Sequence, residues 1–291
     1  MNGRIIKNIS NDYTVLADKE YVCKVRGKIR NLKIIPKVGD RVIFDKNNNY
    51  ITDILERKNS LTRPPICNVD KAFIITSVKE PDFSSNLLDK LLCVIEFNNI
   101  EPIIIFTKMD LLNEVERKKI NIYFNYYKKI GYKVYINNEI EKIKKEFNNN
   151  ISVFTGQSGA GKSTLLNHLN EELNIKTAPI SKALGRGKHT TRHTELIKIE
   201  SGYVADTPGF SALNLEELSK ENIRDNFIEF NEYKDECKYR DCMHLKEDEC
   251  GIKNKVEDKI ILESRYNNYV KFINERMWFS GNIRINIRYK K

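Results

Sequence analysis

No apolar run in this sequence approaches the ~20 residues that a membrane-spanning helix requires. The opening residues, Met1-Asn2-Gly3-Arg4, lead into an alternating segment rather than the apolar core of a signal peptide, so a cytoplasmic protein is expected. No internal repeat is found, and the runs Asn47-Asn48-Asn49 and Asn148-Asn149-Asn150 read as turns. The cysteines do not suggest a disulfide framework. Cys23, Cys67 and Cys93 stand alone in apolar or strand-like surroundings and read as ordinary buried thiols. Cys237, Cys242 and Cys250 cluster with a histidine, which in a cytosolic protein points to metal before disulfides.

What is present suits a globular chain. The 291 residues are enough for two or three domains, and 40% hydrophobic with 31% charged content argues against disorder. The net charge of +10 suits a polyanionic partner such as nucleic acid, and it equally suits a solvated lysine-rich surface.

Residues 1–62 read as all-β. Tyr21, Cys23 and Val25 alternate with polar residues, Arg41 to Asp45 and Tyr50 to Leu55 make further short strands, and turn signals separate them. Five short strands in so few residues suit a small barrel of the OB type. Arg63-Pro64-Pro65 reads as a linker. The texture then changes over residues 63–213. Wholly apolar strands at Ala72 to Thr76, Pro102 to Thr107 and Ile151 to Thr155, with Tyr132 to Ile136, alternate with helical stretches, one of which carries Leu87, Leu91 and Ile95 at four-residue steps. Such βα alternation predicts a parallel sheet with helices on both faces. In residues 214–291 the apolar strands stop, the cysteine cluster appears, and a helical pattern runs from about Val256 to Arg276.

Gly156-Gln157-Ser158-Gly159-Ala160-Gly161-Lys162-Ser163 fits the phosphate-binding P-loop pattern, between a strand and a helix expected from Thr164 to about Glu171. The glycines let backbone N–H groups turn inward around phosphates, and the helix N-terminus adds positive potential. Lys162 is expected to reach the outer phosphates and Ser163 to ligate Mg²⁺.

The base is chosen elsewhere. Thr107-Lys108-Met109-Asp110 ends an apolar strand, where open parallel sheets place ligand loops. A carboxylate at Asp110 can accept both the N1–H and the N2 amino hydrogen of guanine, with Lys108 packed along the ring. Adenine lacks both donors and would leave the carboxylate unpaired. Asp110 therefore argues against an ATPase or small-molecule kinase.

Asp206-Thr207-Pro208-Gly209 closes a short strand as Asp-x-x-Gly, where Asp206 holds Mg²⁺ through water and the Gly209 N–H contacts the γ-phosphate. Between it and the P-loop lies Gly185-Arg186-Gly187-Lys188-His189-Thr190-Thr191-Arg192-His193, glycine-rich, basic and expected to be mobile. Thr191, with Thr190 second, is the choice for a Mg²⁺ and γ-phosphate ligand there. Phe210 stands where many GTPases carry a water-orienting Gln, so catalytic help must come from another group. His189 is the candidate, a neutral imidazole able to orient water, and a solvated or partner-binding histidine is the other reading. His168 and His193 have no constellation around them.

In the usual order a guanine motif follows the P-loop, whereas here Asp110 precedes Gly156, which favours a circularly permuted domain. With Leu61-Thr62-Arg63-Pro64-Pro65, Thr107 to Leu111, Gly156 to Asn167, Gly185 to Thr191, Asp206 to Gly209 and the cysteine cluster, the chain resembles the ribosome-small-subunit-dependent GTPase family RsgA (also YjeQ or YloQ) over nearly its whole length. The resemblance implies an α/β circularly permuted P-loop GTPase domain (63–213), an N-terminal OB-type β-barrel (1–62) and a C-terminal, mostly α-helical zinc-binding domain (214–291). It implies GTP hydrolysis to GDP and phosphate, stimulated by the small ribosomal subunit and used late in that subunit's assembly, with rRNA as a contact and His189 matching the family's switch histidine. Cys237-x4-Cys242-x-His244-x5-Cys250 matches the family's zinc site: three thiolates and one imidazole fill a tetrahedral Zn²⁺, one per chain, which makes the site structural. Mg²⁺ is expected with GTP, and a monomer with no membrane contact is expected in solution. Thr107 replaces the commoner Asn, and the second base-contacting loop falls near Asn137-Asn138. The tail Arg284 to Lys291 sets cations beside Trp278, Phe279 and Tyr289, suiting RNA or a frayed basic end. A different class of function, a nucleotide-gated RNA-binding scaffold with incidental hydrolysis, fits the same motifs.

Overall fold

The computed structural model describes residues 1–27, 35–62, 65–170, 194–206 and 215–288. Its N-terminal strands are β1 (Asn2–Ile9), β2 (Asp12–Leu16), β3 (Glu20–Val25), β4 (Arg41–Asp45) and β5 (Tyr50–Ile54). β1 pairs with β2 and β2 with β3, β3 runs parallel to β5, β5 pairs with β4, and β4 returns to β1. That circuit closes a five-stranded barrel of the OB type, as the strand count predicts. Alternation does the filling: Ile5, Val15, Cys23, Val42, Phe44 and Ile51 point inward and are buried, while Val22, between inward-facing neighbours, lies exposed.

The second layer system is the parallel sheet. β6 (Lys71–Ser77), β7 (Glu101–Thr107), β8 (Lys133–Ile136) and β9 (Ile151–Gly156) lie in the order β9-β6-β7-β8, all parallel. β10 (Thr194–Ile199) and β11 (Gly202–Asp206) form a hairpin that joins β9 through β11. β10 also pairs with β1, Lys7 opposite Glu195, so one hydrogen-bonded sheet runs from the barrel into the parallel strands.

Helices cover both faces of the parallel strands. α1 (Ser85–Phe97) is N-capped by Ser84, and α2 (Glu114–Lys129) opens with a reciprocal capping box between Asn113 and Glu116. Both pack on the face carrying Ile74, Ile104 and Phe106. α3 (Ile140–Lys145) and α4 (Lys162–Leu169) cover the opposite face with Phe73, Ile75, Ile103 and Ile105. The strands are apolar on both faces because both are buried. α4 begins two residues before the expected Thr164, because Gly161 takes the left-handed conformation and serves as its N-cap.

At the floor of this sheet Glu146 receives Lys71 at 2.6 Å, Lys133 at 2.9 Å and the Tyr135 hydroxyl at 2.8 Å. Burial pushes its carboxyl upward, but these three donors outweigh burial and hold it down at about 2. A carboxyl lowered on folding stabilises the fold above its unfolded pKa, and that contribution fades as pH falls towards 2. Glu146→Gln should therefore lower the melting temperature at neutral pH. The gap to the parent should shrink as a thermal-melt series is carried from pH 6 to pH 3. A gap independent of pH would assign the loss to packing.

The C-terminal region has its own core. α5 (Lys220–Asp225), α6 (Phe230–Tyr233), α7 (Gly251–Glu257) and α8 (Glu263–Arg288) gather Ile223, Phe227, Phe230, Ile252, Tyr269 and Phe272, against Cys93 and Val94 of α1. The helical pattern expected from Val256 to Arg276 is two helices. Lys259 sits at φ 59°, the N–H groups of Ile260 and Ile261 close back on Lys255 O, and Ile261 drops into the core. α8 carries Arg265, 1% exposed, which bonds Asp89 of α1 at 2.8 Å and Glu229 at 2.7 and 3.0 Å. Asn268 reaches the other Asp89 oxygen at 2.6 Å, and the Tyr127 hydroxyl donates to Asp89.

Candidate nucleotide and metal sites

The C-terminal ends of β9, β6, β7 and β8 bring the sequence-marked loops to one edge of the sheet, where open α/β sheets bind ligands. The P-loop leaves β9 at Gly156, whose φ is +129° and whose added Cβ would lie 2.0 Å from Ile75 O. Only glycine fits that double constraint of backbone angle and close approach to β6. The Lys162 ammonium folds inside the loop, 2.8 Å from Gly156 O and 2.6 Å from Gln157 O, and burial lowers its pKa. A half-buried cation that, among the described residues, bonds two carbonyls, beside the N-terminus of α4, is a ready anion site. Ser163 is half-buried and Thr164 is exposed, while Ser158 and Gly159 face solvent and Ala160 is packed under the loop.

The segment Thr107 to Asp110, expected from the sequence to read the base, lies next door. Thr107 is buried, and its Oγ1 donates to Ala160 O of the P-loop at 2.7 Å. One hydroxyl thus ties the two loops together. Thr107→Val keeps the shape but strands a buried carbonyl, so guanine nucleotide affinity should fall about tenfold, whereas Thr107→Asn, which can donate to the same carbonyl, should retain most of it. Fluorescence titration with a labelled GDP decides, and an unchanged Thr107→Val would reduce the hydroxyl to a space-filler. Lys108 adopts the left-handed conformation and its Nζ bonds Glu80 O. Met109 is buried, and Asp110 stands exposed in a single 3₁₀ turn, Met109–Leu111. Asn137, at the end of β8, donates its N–H to Phe106 O at 3.0 Å, which puts Asn137-Asn138 beside the end of β7 that leads into the Met109–Leu111 turn.

β11 runs parallel to β9, with Ala205 opposite Val153, so the backbone of Asp206 emerges at the same edge as the P-loop. Gly209, Phe210, His189, Thr190, Thr191 and His193 lie outside the described residues. His168 lies on α4, exposed to solvent.

Sequence reasoning missed the loop between β6 and α1. Glu80 O holds Lys108, Lys79 bonds both Leu111 O and Glu116, and Pro81 Cδ would be 3.7 Å from a Cβ at Gly159. No motif marks this loop. Its one signal is position, since it follows the strand between the two recognised loops.

The metal cluster sits in the C-terminal core. Ligand atoms of Cys237, Cys242, His244 and Cys250 all lie within 4.8 Å of one another. Cys237 Sγ is 3.9 Å from Cys250 Sγ and 3.6 Å from His244 Nδ1, and His244 Nδ1 is 3.3 Å from Cys250 Sγ. A tetrahedron of Zn–S bonds near 2.3 Å has edges of about 3.7 Å, so the donors fit a four-coordinate ion. Left-handed backbone at His244 and Glu249 turns the chain back on itself between the ligands. His244 N–H donates to Cys242 Sγ at 3.4 Å, and Tyr266 donates to His244 O at 2.7 Å. Burial, with Arg224 adding, holds the imidazole pKa down at about 4, so Nδ1 is free to ligate. Burial pushes the Cys242 thiol up to about 12, against the His244 N–H, so a cation is what would hold it as thiolate. The donor set can hold one metal ion with no protein position left over for chemistry.

The model of the RsgA GTPase family matches residues 54–216, and that of the RsgA N-terminal domain matches residues 2–52. The chain belongs to the RsgA GTPase family. A relative from Oceanobacillus iheyensis named small ribosomal subunit biogenesis GTPase RsgA 2 is 50% identical, over 94% of this chain and 96% of its own. One of similar name from Enterococcus faecalis is 46% identical over 94% and 95%. Among solved structures, YloQ, described as a circularly permuted GTPase, superposes with a TM-score of 0.81 at 39% identity, covering 95% of this chain and 94% of that one. YjeQ from Thermotoga maritima gives 0.82 at 35% identity, with 95% and 98% covered. This chain thus combines a five-stranded N-terminal barrel, a circularly permuted GTPase fold and a Cys₃His cluster that could hold a metal ion.

Proposed function

We propose that this protein hydrolyses GTP to GDP and phosphate on the small ribosomal subunit, acting late in that subunit's assembly and stimulated by it. The observation that carries the nucleotide reading is the bond from Thr107 to Ala160 O, which joins base-reading and phosphate-binding loops so that one nucleotide spans both. The ribosomal partner is supported by the names of the relatives.

In this reading Asp110 accepts from guanine, Lys108 lies along the ring, and Thr107 and Met109 set the loop. Gly156 to Thr164 wrap the phosphates, and Gly209 N–H meets the γ-phosphate. Ser163, Thr191 and Asp206 would hold Mg²⁺, which neutralises charge on the outer phosphates when bound. His189 orients the attacking water, since Phe210 has no group to do so. Zn²⁺, one per chain, is the ion for Cys237, Cys242, His244 and Cys250, with a structural role. The division into 1–62, 63–213 and 214–291 follows the three textures of the sequence. The barrel contacts rRNA, and the protein works as a cytoplasmic monomer. No helix among the described residues is long and apolar enough to cross a membrane.

Phosphate release from GTP and from ATP, each with and without purified small subunits, tests this. Slow GTP turnover that rises sharply with subunits, with ATP ignored, is expected. Subunit binding that depends on nucleotide without faster hydrolysis would favour the gated RNA-binding scaffold.

A further inference from the structure

We propose that Lys79 and Arg117 are positioning residues for guanine recognition, pinning the turn that presents Asp110 from both sides. This rests on Asp110 as the base-reading group.

The Met109–Leu111 turn has little to define its own shape. One backbone bond closes it, Leu111 N to Lys108 O at 3.1 Å, and its entry residue Lys108 sits at φ 62° and ψ 30°, a region that side-chain-bearing residues seldom occupy. A lone 3₁₀ turn is weakly held by its own hydrogen bond. The remaining restraint comes from outside. Arg117, on the first turn of α2, donates Nη2 to Met109 O at 2.9 Å. Lys79, from the loop after β6, donates to Leu111 O at 3.3 Å and to both Glu116 oxygens at 3.1 Å. The carbonyls immediately before and after Asp110 therefore each carry a cation, and the two cations come from different elements.

Glu116 extends the clamp. Its carboxylate also accepts the Asn113 N–H at 2.9 Å, and the Asn113 side chain accepts the Glu116 N–H. Lys79 thereby locks the helix start to the turn. Its loop also carries Glu80 O, the acceptor for Lys108 Nζ, and Pro81 beside Gly159. The same loop thus sets the separation between base and phosphate loops. Lys79 directs its bonds to Leu111 O and Glu116, so it steadies the turn and leaves the Asp110 carboxylate to the base.

Lys79 and Glu116 are each more than a third exposed, so the pair adds little to folding stability. Its effect lies in geometry. Two hydrogen bonds from one base edge to one carboxylate require placement within a fraction of an ångström, and loosening the turn weakens both together.

The test is the Kd for GDP and for ADP, with melting temperatures, for the full-length parent and for Lys79→Ala, Arg117→Ala, the double variant, Arg117→Lys and Asp110→Ala. The double variant should lose about tenfold in GDP affinity with ADP unchanged, so that the guanine preference falls while the melting temperature stays near the parent's. Arg117→Lys, which can still reach a carbonyl, should recover most of the Arg117→Ala loss. Lys79→Met, which keeps the aliphatic stem, supplies the same comparison if the double variant melts early. An unchanged preference in the cation variants, with a collapsed one in Asp110→Ala, would overturn the clamp alone. An unchanged preference in Asp110→Ala would overturn the guanine assignment and the clamp with it.

Discussion

Asp110→Asn should turn a guanine nucleotide enzyme into a xanthine nucleotide enzyme. The carboxylate offers two acceptors to the N1–H and N2 amino group of guanine. In an amide one acceptor becomes an N–H donor, which faces the guanine amino group as donor against donor. Xanthine carries an oxo group at C2, and there the same amide pairs correctly. Sites built to pair a polar edge reject the mismatched base by large factors, because the partners are left unsatisfied. The kcat/KM for GTP is expected to fall on the order of 100-fold or more, with xanthosine triphosphate becoming the better substrate. Asp110 is exposed in its turn and carries no core contact, so the substitution should not unfold the chain. A variant that still prefers GTP would place base recognition elsewhere, with Asn137-Asn138 the next candidates.

Removing the metal should melt the C-terminal region. Cys242, His244 and Cys250 are buried within a core of modest size, and Cys250 also serves as the N-cap residue of α7. Without an ion, three sulfurs and an imidazole crowd a buried volume with only weak hydrogen bonds between them. Structural zinc sites supply about 10–16 kcal/mol of apparent binding free energy that is also folding free energy, more than a core of this size can replace. Cys250→Ser should therefore lose metal, measured as zinc per chain by mass spectrometry, and should lose the near-ultraviolet dichroism of Tyr233, Tyr266 and Tyr269, which surround the site. Chelation of the parent should do the same reversibly. A chelated protein with unchanged dichroism and melting temperature would sink the structural role.

The motifs were legible because their chemistry is local in sequence. The P-loop spacing, the strand-end Asp110 and the Cys-x4-Cys-x-His-x5-Cys run each lie within 14 residues: the first joins β9 to α4, the second sits in the turn after β7, and the four ligand atoms of the third lie within 4.8 Å of one another. The strands of the barrel and sheet were legible from alternation and from continuous apolar runs. Other features depend on residues far apart. Lys79 and Leu111 meet across two connections, and Asp89 meets Arg265 across 176 residues. Asp89 left only the faint mark of a lone carboxylate on the apolar face of Leu88, Leu91 and Leu92. The break between α7 and α8 carries no glycine or proline, because Lys259 itself takes the left-handed angle, so the helical period ran on unbroken through it.

Arg265 decides where this chain can be cut. A truncation that removes α8 looks harmless on a diagram, since the P-loop and the Asp110 turn both precede it. Asp89 and Glu229 would then lie buried with their shared counter-charge gone, and losing one partner of such a buried set costs about 3–5 kcal/mol. A shortened version ending before residue 215 removes Glu229 as well, but still leaves Asp89 facing the gap where Arg265 and Asn268 sat. Anyone isolating the nucleotide-binding part for crystallisation or labelling should accompany the cut with Asp89→Asn or Asp89→Leu. The last helix, far along the chain from any phosphate, is in electrostatic terms part of the first helix's core.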